Sequence, residues 1–275
     1  MSRSLAPFRS AQFLTVILFV GVGGPPAAAS EDASPEEIGL ALASDAREAK
    51  LGFGNFTARQ TMVLRNKQGR ESRRELRVKV LEVEGDGDKS MFVFDQPRDV
   101  EGTALLIYAH KEAADEQWLY LPALKRVKRI SSASRSGSFM GSEFAYEDMS
   151  AQEVEKFTYR YLRDEHCGVG EELVCAVIER FPVDERSGYL RQVVWQDRNA
   201  RRLWKVEYYD RKNAHLKTLT VRDYRLYLDK YWHAGEMNMV NHLTGKSTVL
   251  SWADYQFGSD LDAGDFTQTG LRRAR

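Results

Sequence analysis

The chain has 275 residues, and its 40 basic side chains balance 40 acidic ones, so it carries no formal net charge. With 43% hydrophobic, 29% charged and 11% aromatic residues it has the make-up of an ordinary globular protein, which excludes disorder, a collagen-like repeat and a disulfide-dense miniature scaffold. The charge balance also argues against a nucleic-acid binder, which would show a basic excess along one face.

The first thirty residues read as an export signal in three zones. Arg3 and Arg9 form a positive start, residues 13–22 (FLTVILFVGV) an apolar core, and Ala27-Ala28-Ala29 a small-residue cleavage site after the Gly23-Gly24-Pro25-Pro26 break. The core is too short to span a bilayer, which needs about 20 apolar residues. Cleavage after Ala29 leaves a mature chain of residues 30–275, expected to be one domain. Having lost Arg3 and Arg9, it carries 38 basic against 40 acidic side chains. The mature chain is expected to be exported.

The mature chain opens with a helix. Ser34-Pro35-Glu36-Glu37 is a capping box with proline at the first helical position, and Ile38, Leu42, Ala46 and Ala49 recur at helical spacing until Gly52 and Gly54. From there the period is 2. Phe56, Ala58, Gln60, Met62 and Leu64 alternate with more polar neighbours, and strand-like runs follow at 76–80, 90–94, 103–108, 117–121 and 127–130. The second half continues with runs at 155–165, 174–181, 189–195, 203–209, 215–227, 234–243 and 247–257. About a dozen short antiparallel strands with one helix leave a large apolar sheet face, which must close on itself or enclose something.

Residues 131–149 interrupt this rhythm. The segment is rich in Ser and Gly yet holds Phe139, Met140, Phe144, Tyr146 and Met149, too many large apolar side chains for a free loop. It reads as a movable cover over a cavity mouth, hinged at Gly137 and Gly141, or as static core between two strands. Strand alternation puts Trp118 with Tyr120 on one face and Leu119 with Leu121 on the other. Trp118 and Tyr120 are taken as cavity residues with Phe139, Met140 and Phe144; sequence does not decide which face is inside. Beside them Lys125, Arg126, Lys128 and Arg129 form a basic cluster, read either as a guarded strand edge or as a headgroup or partner contact.

In an oxidising compartment, Cys167 and Cys175, which flank the turn-like 168–172 stretch, most simply form a disulfide across a hairpin. The alternative, a metal site using His166, has too few ligands. No G-x-S-x-G elbow, P-loop, dinucleotide fingerprint or H-E-x-x-H motif is present, so no enzyme, catalytic residue, cofactor or metal is expected. Asp86-Gly87-Asp88 starts like a calcium loop but lacks Gly at the sixth position and Glu at the twelfth.

Three ordered runs resemble a known family. GTALL (102–106), QWLYLPALKRVKRI (117–130) and SFMGSEFAYEDM (138–149) are similar to the LolA-like outer membrane lipoprotein-sorting proteins. The resemblance implies a mainly β fold: an unclosed antiparallel half-barrel of about 11 strands, with an N-terminal helix and a lid segment over the concave face. It implies a periplasmic binder or carrier for lipid or lipoprotein acyl chains, expected to be a monomer, with an inner-membrane transporter as a candidate partner. The alternative is an envelope sensor or scaffold of the same fold that docks a membrane protein.

Overall fold

The computed structural model describes residues 33–167 and 173–274. The signal segment and its cleavage site, and the turn-like stretch between the cysteines, lie outside the described residues. Helix α1 (Pro35–Glu48) begins as its sequence dictates: the Ser34 hydroxyl accepts the Glu37 N–H at 3.2 Å, and the Glu37 carboxylate accepts the Ser34 N–H at 2.8 Å.

Among the described residues, fifteen strands follow. They are β1 (Asn55–Arg65), β2 (Glu71–Leu81), β3 (Lys89–Gln96), β4 (Ala104–Tyr108), β5 (Glu116–Leu121), β6 (Arg126–Ile130), β7 (Phe157–Cys167) and β8 (Leu173–Pro182). Then come β9 (Tyr189–Asp197), β10 (Leu203–Asp210), β11 (His215–Arg222), β12 (Arg225–Tyr227), β13 (Tyr231–His233), β14 (Glu236–Asn241) and β15 (Ser247–Phe257), with helix α2 (Gln268–Arg273) at the end. Thirteen of them make one antiparallel sheet in the order β6-β5-β4-β3-β2-β1-β15-β14-β11-β10-β9-β8-β7, and β12 pairs with β13 alone. The sheet is not closed, and its strand number exceeds the expected 11.

Nearly every neighbour in that order is a sequence hairpin; the exceptions are β1–β15 and β14–β11, the latter flanking the β12–β13 excursion. β1 meets β15 at the centre, with Met62 opposite Leu250, which joins the first and second halves of the chain. β6 and β7 follow each other in sequence yet form the two outer edges, so residues 131–156 must travel from one rim to the other.

The run expected over 215–227 is broken. Gly235 approaches Asp223 so closely that a Cβ there would lie 2.6 Å from the Asp223 carbonyl oxygen, and Asp223 itself adopts a left-handed φ of 58°. The chain turns out of the sheet at this crossing, and the β12–β13 hairpin folds back over the end of β1 and β15. Its Tyr227 and Tyr231 reach the Phe257 ring, and Tyr227 and Phe56 flank His233.

α1 packs at the β7 rim. Gly39 makes this possible, since a Cβ there would lie 2.9 Å from the Tyr161 backbone nitrogen. Leu42 and Ala43 then cover Tyr159, Ala176 and Ile178.

Candidate functional site: the strapped concave face

Alternation along the strands sorts apolar residues onto two faces. Phe92 and Phe94 of β3, Leu105 and Ile107 of β4, and Leu119 of β5 join one large cluster with Ala58, Met62, Leu76, Leu219, Met239 and Leu250. Their sequence neighbours Met91, Val93, Ala104, Leu106, Trp118 and Tyr120 form a second cluster, capped by Phe266 and Leu271 from the C-terminal segment. The first is the concave face.

Residues 131–149 cross this face as a strap, and their contacts advance strand by strand. Phe139, with no exposed surface, meets the rings of Phe94 at 5.8 Å and Phe92 at 6.5 Å on β3. Arg74 of β2 donates to the Met140 carbonyl. The Glu143 N–H donates to Thr248 of β15 at 3.0 Å, its carboxylate accepts from Asn241 of β14 at 2.7 Å, and its carbonyl accepts from Lys217 of β11 at 2.9 Å. Asp148 then reaches Tyr189 of β9, whose hydroxyl donates to it at 2.9 Å. Gln117 of β5 holds the near side by donating to the Tyr146 carbonyl at 2.9 Å.

The strongest anchor is electrostatic. Lys217 and Asp148 form an ion pair at 2.6 Å with side chains only 4% and 5% exposed, and Asp148 also accepts the Ala145 N–H at 2.7 Å. Burial, and after it the Asp148 charge, pushes the Tyr189 and Tyr208 hydroxyls well above the usual phenol range, so both stay protonated. Burial likewise raises the neighbouring Glu147 carboxyl, although it accepts from Ser187 at 2.7 Å and Gly188 at 3.0 Å.

α1 is held at the other rim by Arg47, which grips Glu153 at 2.8 and 3.2 Å. Asp88 lies 3.7 Å from the same guanidinium. Burial first, opposed by Arg47 but reinforced by Glu153 and Glu82, pushes its carboxyl up to about 6.

The fold has close counterparts. An outer membrane lipoprotein-sorting protein domain, so assigned by name, from Vibrio parahaemolyticus is 52% identical, covering 86% of this chain and 100% of its own, with a TM-score of 0.84. The chain belongs to the outer membrane lipoprotein-sorting family. A DUF1329 family protein from Desulfovibrio piger is 27% identical with a TM-score of 0.80, covering 87% of this chain and 100% of its own. A LolA superfamily protein from Nitrosomonas europaea, 18% identical with a TM-score of 0.68 and the same coverage, shares the fold. A family model described as "Uncharacterized protein" matches residues 86–273. None of the curated proteins matches its sequence.

In this member of the lipoprotein-sorting family the expected residues divide. Phe139 and Phe144 are buried in the concave cluster and Met140 packs against it. Met140 has a left-handed φ of 49° and Gly141 one of 79°, so the tight bend falls there rather than at Gly137. Trp118 and Tyr120 do not join these residues. They face the opposite side under Phe266 and Leu271, and the inward positions belong to Leu119 and Leu121. The reason is that both faces of β5 are apolar and each finds a cover.

Lys125, Arg126, Lys128 and Arg129 are all exposed at the β6 rim. Arg126 and Lys128, opposite Leu121 and Leu119, share the concave side, whereas Arg129 lies opposite Trp118 and pairs with Glu116 at 2.8 Å. Cys167 and Cys175 are bonded, with Cα atoms 5.7 Å apart. The bridge staples the edge strand β7 to β8 and packs on the outer face with Val177, Val193 and Trp195.

Sequence reasoning missed the polar anchors Lys217, Asp148, Glu143 and Arg74. Gln60 stands in an apolar series, and nothing in the sequence marks its amide as unpaired.

Proposed function

We propose that the protein binds the acyl chains of a lipid or lipoprotein on its concave face and carries them through the periplasm, in outer-membrane lipid or lipoprotein trafficking. The observation that carries this reading is the match between trough and cover. A continuous apolar face is occupied by Phe139 and Phe144 from a strap that belongs to no sheet, so side chains of the protein stand where acyl chains would lie. Burying each CH₂ of a chain gains about 0.8 kcal/mol, which makes a dry trough an effective host. The relative named for outer membrane lipoprotein sorting supports the same assignment.

In this reading residues 131–149 move aside when acyl chains enter, and Arg126 and Lys128 meet an anionic headgroup or an acidic partner at the rim. Export with cleavage after Ala29 delivers residues 30–275 to the periplasm as a monomer, where an inner-membrane transporter is the candidate donor. The test is native mass spectrometry of protein purified from the periplasm, followed by lipid extraction. Co-purifying acyl lipid is expected, and its absence together with no binding of added lipid would leave the scaffold reading. Hydrogen exchange adds a second readout: protection over 131–149 should change on loading and stay constant elsewhere in the sheet.

A further inference from the structure

The concave face is apolar around its centre, and among the described residues it holds there a polar side chain with neither end bonded. Gln60 lies midway along β1, which the sheet order places in the middle of the trough. It faces inward with Ala58 and Met62, and its cross-strand neighbours are Leu76 on β2 and Trp252 on β15. It is 2% exposed, and both its Oε1 and its Nε2 are buried without a hydrogen-bond partner.

The other buried glutamines among the described residues each have at least one hydrogen-bond partner, although the Gln117 Oε1 is itself unpaired. Gln117 donates to Tyr146 and Ser150, Gln192 accepts from Arg180, and Gln196 donates to the Leu42 carbonyl. A buried amide with both ends unpaired is costly, and a leucine would fill the same space without that cost. The place of Gln60 is also particular. Its row, through Leu76, reaches Phe94, and Phe94 is the residue against which the strap sets Phe139. A chain that displaced Phe139 would therefore lie beside the Gln60 row.

We propose that Gln60 is the polar anchor of the acyl-chain site and binds the carbonyl end of the chain. Nε2 donates to the acyl carbonyl oxygen. Where the linkage is an amide, its carbonyl is a stronger acceptor than that of an ester. The inference rests on the acyl-binding reading above and adds to it the chemical group recognised: an acyl carbonyl, supplied either by a glycerolipid ester or by the N-acyl terminus of a lipoprotein.

The experiment compares three probes on the mature protein by competition against a fluorescent fatty acid. They are dipalmitoylphosphatidylglycerol, its dihexadecyl ether counterpart without carbonyls, and an N-palmitoyl lipopeptide. Wild type is expected to bind the ester about tenfold more tightly than the ether, the worth of one hydrogen bond. A lipopeptide stronger than the ester would identify an N-acyl terminus, and equal binding a glycerolipid. Gln60→Leu should bind all three within about twofold of one another and melt at a higher temperature when empty.

Equal binding of ester and ether by wild type overturns the proposal without any variant. So does a Gln60→Leu protein that keeps the preference, or one that melts lower and weakens toward all probes alike, since that is a packing role. If wild type binds none of the probes, the acyl-binding reading fails, and this inference with it.

Discussion

Replacing Phe139 by alanine separates a displaceable cover from fixed core. The side chain has no exposed surface and sits among Phe92, Phe94 and Tyr146. Burial of about 150–200 Å² of apolar surface at about 25 cal/mol per Å² is worth about 4–5 kcal/mol, part of which alanine retains. With the cavity left behind, phenylalanine-to-alanine changes in cores cost about 3–5 kcal/mol, so about 3 kcal/mol is expected for the empty protein. If acyl chains take the place of Phe139, the loaded protein has already given up that burial and loses little from the substitution. Linkage then converts the difference into affinity: Phe139→Ala should bind a fluorescent fatty acid about 100-fold more tightly while unfolding at lower urea. Urea midpoints with and without lipid, beside a direct titration, measure both quantities. A variant destabilised by the same amount in both states, with unchanged or weaker affinity, would refute the displacement argument and make residues 131–149 part of a static core.

Three other outcomes follow from the same geometry. Asp88, with its carboxyl pushed up to about 6 from 3.8, gives stability that is complete below about pH 4 and lost as pH rises through 6, at most about 3 kcal/mol. Asp88→Asn should therefore be more stable than wild type at pH 7.5 and should flatten the urea-midpoint curve between pH 4 and 7; parallel curves would show that Asp88 does not titrate in that range. Breaking the Lys217–Asp148 pair with Lys217→Met should cost about 3–5 kcal/mol by leaving a buried carboxylate uncompensated, and adding Asp148→Leu should recover most of it. A double variant no more stable than the single one contradicts this account. Reducing the Cys167–Cys175 bridge, which closes a loop of sequence separation 8, should lower stability by about 2–3 kcal/mol, seen as a lower melting temperature with reductant; an unchanged melt or two free thiols in the non-reduced protein would count against it.

What the sequence made legible was local. The capping box at Ser34 and Glu37 set the start of α1, and period-2 alternation located nearly every strand, because each rests on neighbours a few residues apart. The inward face of β5 was not legible, since Trp118 with Tyr120 and Leu119 with Leu121 are equally apolar. The choice is made by Phe266 and Leu271, far along the chain. The break at 223–235 escaped for a similar reason: the residues alternate as a strand would, and only the approach of Gly235 to Asp223 bends them away. Lys217 and Asp148 are 69 positions apart, and no spacing rule joins them.

The path of residues 131–156 from one rim to the other has a mechanical consequence. The sheet is a bow and this segment its string, tied at β6 and at β7. A guest that swells the bow must either draw the string taut or spread its two ends. For the acyl-chain binding proposed above, the load on this string falls at the β6 rim, where Arg126 and Lys128 stand.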